Sequence, residues 1–168
     1  MVGIGAYAAL AIVFRKKQSI KLKKHIINIV FIVYILLLLS VTVNLFRGSG
    51  FAPENRANFV PLKSLIYALK NISDIYILLG LILNVILFIP FGFLLPVVFP
   101  KRAAKLWLTT LYGFPLSLFI ELTQLLLPGI GRAFDVDDLI FNTLGAVVGY
   151  LLYLLCRKIF NSIKKKNN

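Results

Sequence analysis

The stretch IYILLGLILNVILFIPFGFLLPVVF, residues 75–99, decides the fold. It runs 25 residues without a charge, where a bilayer core about 30 Å thick needs roughly 20 apolar residues in helical form. Working outward, Ile26–Phe46, Leu106–Leu127 and Leu139–Phe160 meet the same requirement. Met1–Phe14 is shorter, about 21 Å at 1.5 Å per residue. Its basic flank (Arg15, Lys16, Lys17) follows the apolar run instead of preceding it, unlike a secretory signal. The expectation is an all-α polytopic transmembrane bundle of five spans, or four if the N-terminal segment does not cross. Sixty per cent hydrophobic and 15% charged residues exclude an ordinary soluble domain and a disordered chain alike.

The net charge of +13 would suit a nucleic-acid partner if it were spread over a soluble surface. Here Lys and Arg fall in short runs between apolar stretches, the pattern of a membrane protein, and no nucleic acid is expected. The first loop, the third loop and the tail carry fourteen basic residues, and the two remaining loops carry five. That asymmetry predicts an outside N-terminus, an inside C-terminus and a basic cytoplasmic tail at 157–168. The whole chain, 1–168, reads as one multi-pass domain of the plasma membrane. Within the outer segment 47–74, Leu62, Leu65, Ile66 and Leu69 fall at i, i+3, i+4 and i+7. They predict a short amphipathic helix from Pro61 to Asn71, lying on the outer membrane face.

Polar side chains inside spans are costly and become functional candidates. Glu121 lies seven residues before Pro128, about 10 Å below the outer end of its span. Gln124 shares its helical face at i+3. Arg132, Asp135, Asp137 and Asp138 follow in the next loop, and Asn142 stands one turn below Asp138. Asn84 is near the midplane. An outward-open cavity lined by Glu121, Gln124, Arg132, Asp135, Asp138 and Asn142, with Asn84 at its floor, is the economical arrangement. The alternatives are structural: the aspartates cap the last helix, Asn84 and Asn142 join helices, and Glu121 is a hydrogen-bonded structural carboxyl. Asp137 reads as an ordinary helix-end residue. Gly145 and Gly149 form a small-xxx-small pair for close packing. Pro90, Pro96 and Pro115 should kink or break their helices. His25 and the lone cysteine, Cys156, read as structural.

The run from Asn84 to Pro96 resembles the third-span signature of VanZ-like membrane proteins. So do Glu121-Leu122-Thr123-Gln124, Arg132, Asp135, Asp138-Leu139, Asn142-Thr143-Leu144-Gly145 and Gly149. Asn58-Phe59-Val60-Pro61-Leu62 is similar to the family's Asn-Leu-x-Pro-Phe motif, departing at its second and last positions. The resemblance covers roughly residues 28–153. It implies an association with low-level resistance to teicoplanin-type glycopeptides in a Gram-positive cell envelope, and adds Asn58 to the polar set. It implies no settled reaction.

Three functional readings stay open. In the first, the outer cavity binds or shields a lipid, a lipid-linked wall precursor or a lipoglycopeptide, with Arg132 pairing an anionic head group. In the second, an intramembrane enzyme acts on an envelope lipid, with Glu121 as general acid or base beside Asp138. Asp135 and Asp138 are then oxygen ligands of the kind that hold Mg²⁺ or Ca²⁺. The third is a transporter, against which the lack of a visible inverted repeat weighs. No HExxH or GxSxG motif is present. The residues name no cofactor and no oligomeric state.

Overall fold

A computed structural model describes the backbone of residues 2–44, 57–71, 75–100, 105–126 and 134–167; within the first helix, side chains are described for residues 21–42. Five helices and two short strands follow in the order α1 (Val2–Asn44), β1 (Ala57–Asn58), α2 (Lys63–Lys70), α3 (Ile75–Val98), α4 (Leu106–Leu126), β2 (Phe134–Asp135) and α5 (Val136–Lys166). Four helices carry a stretch long and apolar enough to cross a membrane: Lys21–Thr42 of α1, and α3, α4 and α5. The all-α membrane bundle therefore stands, with four candidate spans among the described residues.

The basic run after Phe14 does not separate two helices as expected. Residues 2–44 form one helix of 43 residues, about 64 Å at 1.5 Å per residue. Between Arg15 and His25 there is neither Gly nor Pro, and Lys, Arg and Gln are good helix formers. Charge marks where lipid ends, not where a helix ends. The side chains of the proposed first span lie outside the described residues. The same reasoning applies at the other terminus, where α5 continues through its basic last turn to Lys166.

The three prolines do not break their helices either. Pro90 and Pro96 lie inside α3 and Pro115 inside α4. Such prolines are tolerated in membrane helices because neighbouring helices and side chains satisfy the carbonyls they release.

α5 packs most extensively on α3, and glycine makes that possible. A Cβ on Gly92 would lie 1.9 Å from the Ala146 carbonyl oxygen, one on Gly145 2.3 Å from that of Val85, and one on Gly149 2.0 Å from that of Ile89. The small-xxx-small reading of α5 is thus realised as backbone-to-backbone contact, and its partner surface includes a third glycine on α3. Lipid tails offer no hydrophobic drive for helix association, so close dispersion contact and hydrogen bonds must supply it. Leu38, Phe88, Phe91, Leu95, Ile120 and Ala146 form the core. Phe31 of α1 meets Phe91 with ring centroids 6.2 Å apart, and the Tyr34 hydroxyl donates to the Leu87 carbonyl at 2.7 Å.

Candidate functional site

At the end of the bundle where α5 begins, a parallel two-strand bridge pairs Ala57 with Phe134 and Asn58 with Asp135. It brings the segment before α2 onto the two residues that lead into α5, and Phe59 packs on Phe134 with ring centroids 5.3 Å apart. Asp135 is the N-cap of α5, its backbone extended (φ −128°, ψ 122°). Its Oδ1 accepts from Asp137 N–H at 2.9 Å and from Asn58 Nδ2 at 2.9 Å. Its Oδ2 accepts from the Ser64 hydroxyl at 2.6 Å. One carboxylate thereby fixes the start of α5, the strand β1 and the first turn of α2.

Asp137 is not the ordinary helix-end residue that its position suggested. It is fully buried and reaches across to α2, whose N-terminal N–H groups lack intrahelical partners. Its Oδ1 accepts from Leu62 N–H, and its Oδ2 from Ser64 N–H at 2.8 Å and Leu65 N–H at 3.2 Å. Leu62 stands at the N-cap of α2 with φ 60° and no side-chain cap of its own. A left-handed leucine costs roughly 1–2 kcal/mol, and the charge-assisted bonds to Asp137 offset it. The clue was in the sequence: α2 begins after Pro61-Leu62, with no Ser, Thr, Asp or Asn at its cap position, so the acceptor had to come from elsewhere.

Deeper in the bundle, Glu121 on α4 is 1% exposed, and its Oε2 accepts from Asp135 N–H at 3.1 Å. Asp138 Oδ1 accepts from Asn84 Nδ2 of α3 at 2.5 Å. Asn142 Nδ2 donates to the Ser117 hydroxyl of α4 at 2.9 Å. Gln124 Nε2 donates to the Thr42 carbonyl at 3.1 Å, satisfying one of the last carbonyls of α1, which have no partner within that helix. Gln124 Oε1 is buried and accepts from no donor among the described residues.

These contacts tie Asn58, Glu121 and Asp135 into one chain of hydrogen bonds, and join Asn84 to Asp138. Asn142 and Gln124 make separate links, to α4 and α1. Arg132 lies outside the described residues. The polar side chains of α3, α4 and α5 are packed between helices; Asn84, Glu121, Gln124, Asp138 and Asn142 are all buried. Among the described residues, no group of three or more His, Cys, Asp or Glu side chains is placed to hold a metal ion. Three contributors escaped the reading of the sequence: Asp137, Ser64 and Ser117. The serines carry no local signal, since a small hydroxyl near a helix end or inside a span is unremarkable until a partner helix faces it.

Fold and site define a class: a polytopic helical membrane protein with a buried carboxylate-amide network where its last helix begins. The chain belongs to the VanZ/LLP1 family, whose pattern it matches over residues 31–157. No curated protein and no solved structure matches it.

Proposed function

We propose that this VanZ-family membrane protein holds the head group of a lipid, a lipid-linked wall precursor or a lipoglycopeptide at the Glu121 end of the bundle. Sited in the plasma membrane with that end outward, it would lower the access of a teicoplanin-type antibiotic to its target. One observation carries the reading: the bond from Asp135 N–H to Glu121 Oε2 at 3.1 Å. It sets a buried carboxylate of α4 against a loop that has Arg132 three residues upstream, and a guanidinium suits a phosphate or carboxylate head group. Gln124, on the Glu121 face, offers Oε1 as an acceptor with no donor among the described residues. Asp135 and Asp137 spend their oxygens on donors of the protein itself, which favours holding a ligand over doing chemistry on one.

The test is teicoplanin susceptibility of a Gram-positive host expressing the wild type, Glu121→Gln or Arg132→Ala, with membrane insertion verified for each. Glu121→Gln keeps shape and hydrogen-bonding capacity while removing the charge and the titrating proton. A holding protein should tolerate Glu121→Gln and lose its protective effect with Arg132→Ala. An enzyme using Glu121 as general acid or base would lose it with Glu121→Gln. Full protection in both variants would remove the pair from the mechanism.

A further inference from the structure

The helix α2 presents three stripes, and the bundle uses only one of them. Ala68 is buried, with Ser64 and Leu65 half-buried beside it. Leu62, Ile66 and Leu69 recur at i, i+4 and i+7 and stay exposed, Leu69 by 58%. Lys63, Tyr67 and Lys70 repeat that spacing on the remaining face. The apolar arc of α2 is therefore wider than the bundle can cover. Phe59, 70% exposed, and Val60 carry the uncovered part into the turn before the helix. Scattered apolar side chains on a surface need no explanation, but a contiguous set marks a contact with something apolar.

Two attachments place α2 relative to the spans. Its first turn is bonded to Asp137 at the start of α5. Its last residue, Lys70, is five residues from Ile75, where α3 begins, so the two are at most about 18 Å apart. α3 and α5 run parallel: a Cβ on Gly145 would meet Val85 and one on Gly149 would meet Ile89, the partner advancing as α5 advances. Both attachments thus lie at the same end of two candidate spans. α2 bridges span ends, at the level where hydrocarbon gives way to head groups. Ile75, Tyr76 and Leu79 in the first turns of α3 are exposed as well, so apolar exposure continues along the chain from α2 into a span.

We propose that Phe59, Val60, Leu62, Ile66 and Leu69 form a wedge inserted between head groups and acyl chains, in the leaflet at the Asp135 end of the bundle. A bilayer surface requires no groove in the protein. It takes an exposed apolar face, buried about 5–10 Å into the boundary, with polar residues on the opposite side. Lys63, Tyr67 and Lys70 supply that side, and their long or amphipathic side chains reach head groups and water. Because Asp135 and Asp137 bond α2 to the start of α5, the wedge also fixes how far the Glu121 network lies below the head groups. It does not depend on the ligand proposed for that network.

Trp107 is the one tryptophan of the chain and is exposed on α4, so Trp107→Phe clears the fluorescence background. In that background, Ile66→Trp, Leu69→Trp, Tyr67→Trp and Lys70→Trp each place a single reporter at an exposed position. The full-length variants are reconstituted in phosphatidylcholine vesicles whose acyl chains are plain or brominated near the head group. Bromolipid should quench the reporters at Ile66 and Leu69 about twofold more than those at Tyr67 and Lys70, and aqueous acrylamide should reverse that order. Far-UV circular dichroism checks that each variant stays folded, and each pair supplies two independent reporters. Equal quenching of the two pairs by bromolipid, or stronger acrylamide quenching at Ile66 and Leu69, would overturn the wedge. So would shielding of the Ile66 reporter from acrylamide that disappears when the protein is diluted in lipid, which would make a second copy the occupant.

Discussion

Asp137 Oδ2 accepts the backbone N–H of Ser64 at 2.8 Å, across 73 residues of sequence. The carboxylate sits one residue into α5, yet the helix it caps is α2. A helix of eight residues is marginal in isolation; this one is fixed by a buried carboxylate at its N-terminus, where the helix dipole favours negative charge. Asp135 adds the bond from Ser64 Oγ, so two neighbouring aspartates hold the first turn of α2 by backbone and side chain together.

Asp137→Ala should therefore destabilise the protein by about 2 kcal/mol, because it takes the acceptor from three partly buried N–H donors, and a fully buried donor left unmade costs about 1–3 kcal/mol. Asp137→Asn, which keeps one acceptor oxygen, should cost less. Hydrogen exchange in detergent micelles checks the mechanism: the amides of Leu62, Ser64 and Leu65 should lose protection first. Unchanged protection at those three amides would refute the clamp.

The glycines of the α3–α5 contact should be far less replaceable than the others. Gly149→Ala would drive a methyl to 2.0 Å from the Ile89 carbonyl oxygen, and the helices must separate to admit it. A loss of roughly 1–3 kcal/mol is the usual cost of overpacking, and backbone on the opposing side puts this case at the upper end. Gly80→Ala meets nothing within 4 Å and should stabilise α3 by up to about 1 kcal/mol. Thermal unfolding of the two variants should shift in opposite directions.

The Asn84–Asp138 bond, 2.5 Å between α3 and α5, should show measurable coupling. A double-mutant cycle of Asn84→Leu with Asp138→Leu, read by reversible unfolding in mixed micelles, should return about 1–2 kcal/mol, the range for interhelical polar pairs in model systems. Additive losses would mean that the two residues contribute independently.

Orientation rests on the fourteen-to-five distribution of basic residues. In a Cys156→Ser background, single cysteines introduced at Ser49 and Gly131 should react with an impermeant reagent added to intact cells. Cysteines at Lys101 and Ser162 should react only after permeabilisation. Labelling at Ser162 in intact cells would invert the arrangement.

Hydropathy and spacing in the sequence were enough for four of the five expected spans, for α2 and for the glycine pair of α5, because each is a property of neighbours along one helix. Ile75, Val98, Leu106 and Leu126 bound their helices within one residue of where the apolar stretches begin and end. The same local rules misjudged the basic run after Phe14, since hydropathy reports the edge of lipid and not the end of backbone hydrogen bonding. Tertiary structure alone decided what the polar residues do. Gln124 satisfies a carbonyl of α1, Asn142 finds Ser117, and Asp137 caps a helix that ends 67 residues before it. A buried donor or acceptor must be paired with whatever the fold brings within about 3 Å. Which partner that is depends on how helices cross, a quantity no stretch of sequence carries by itself.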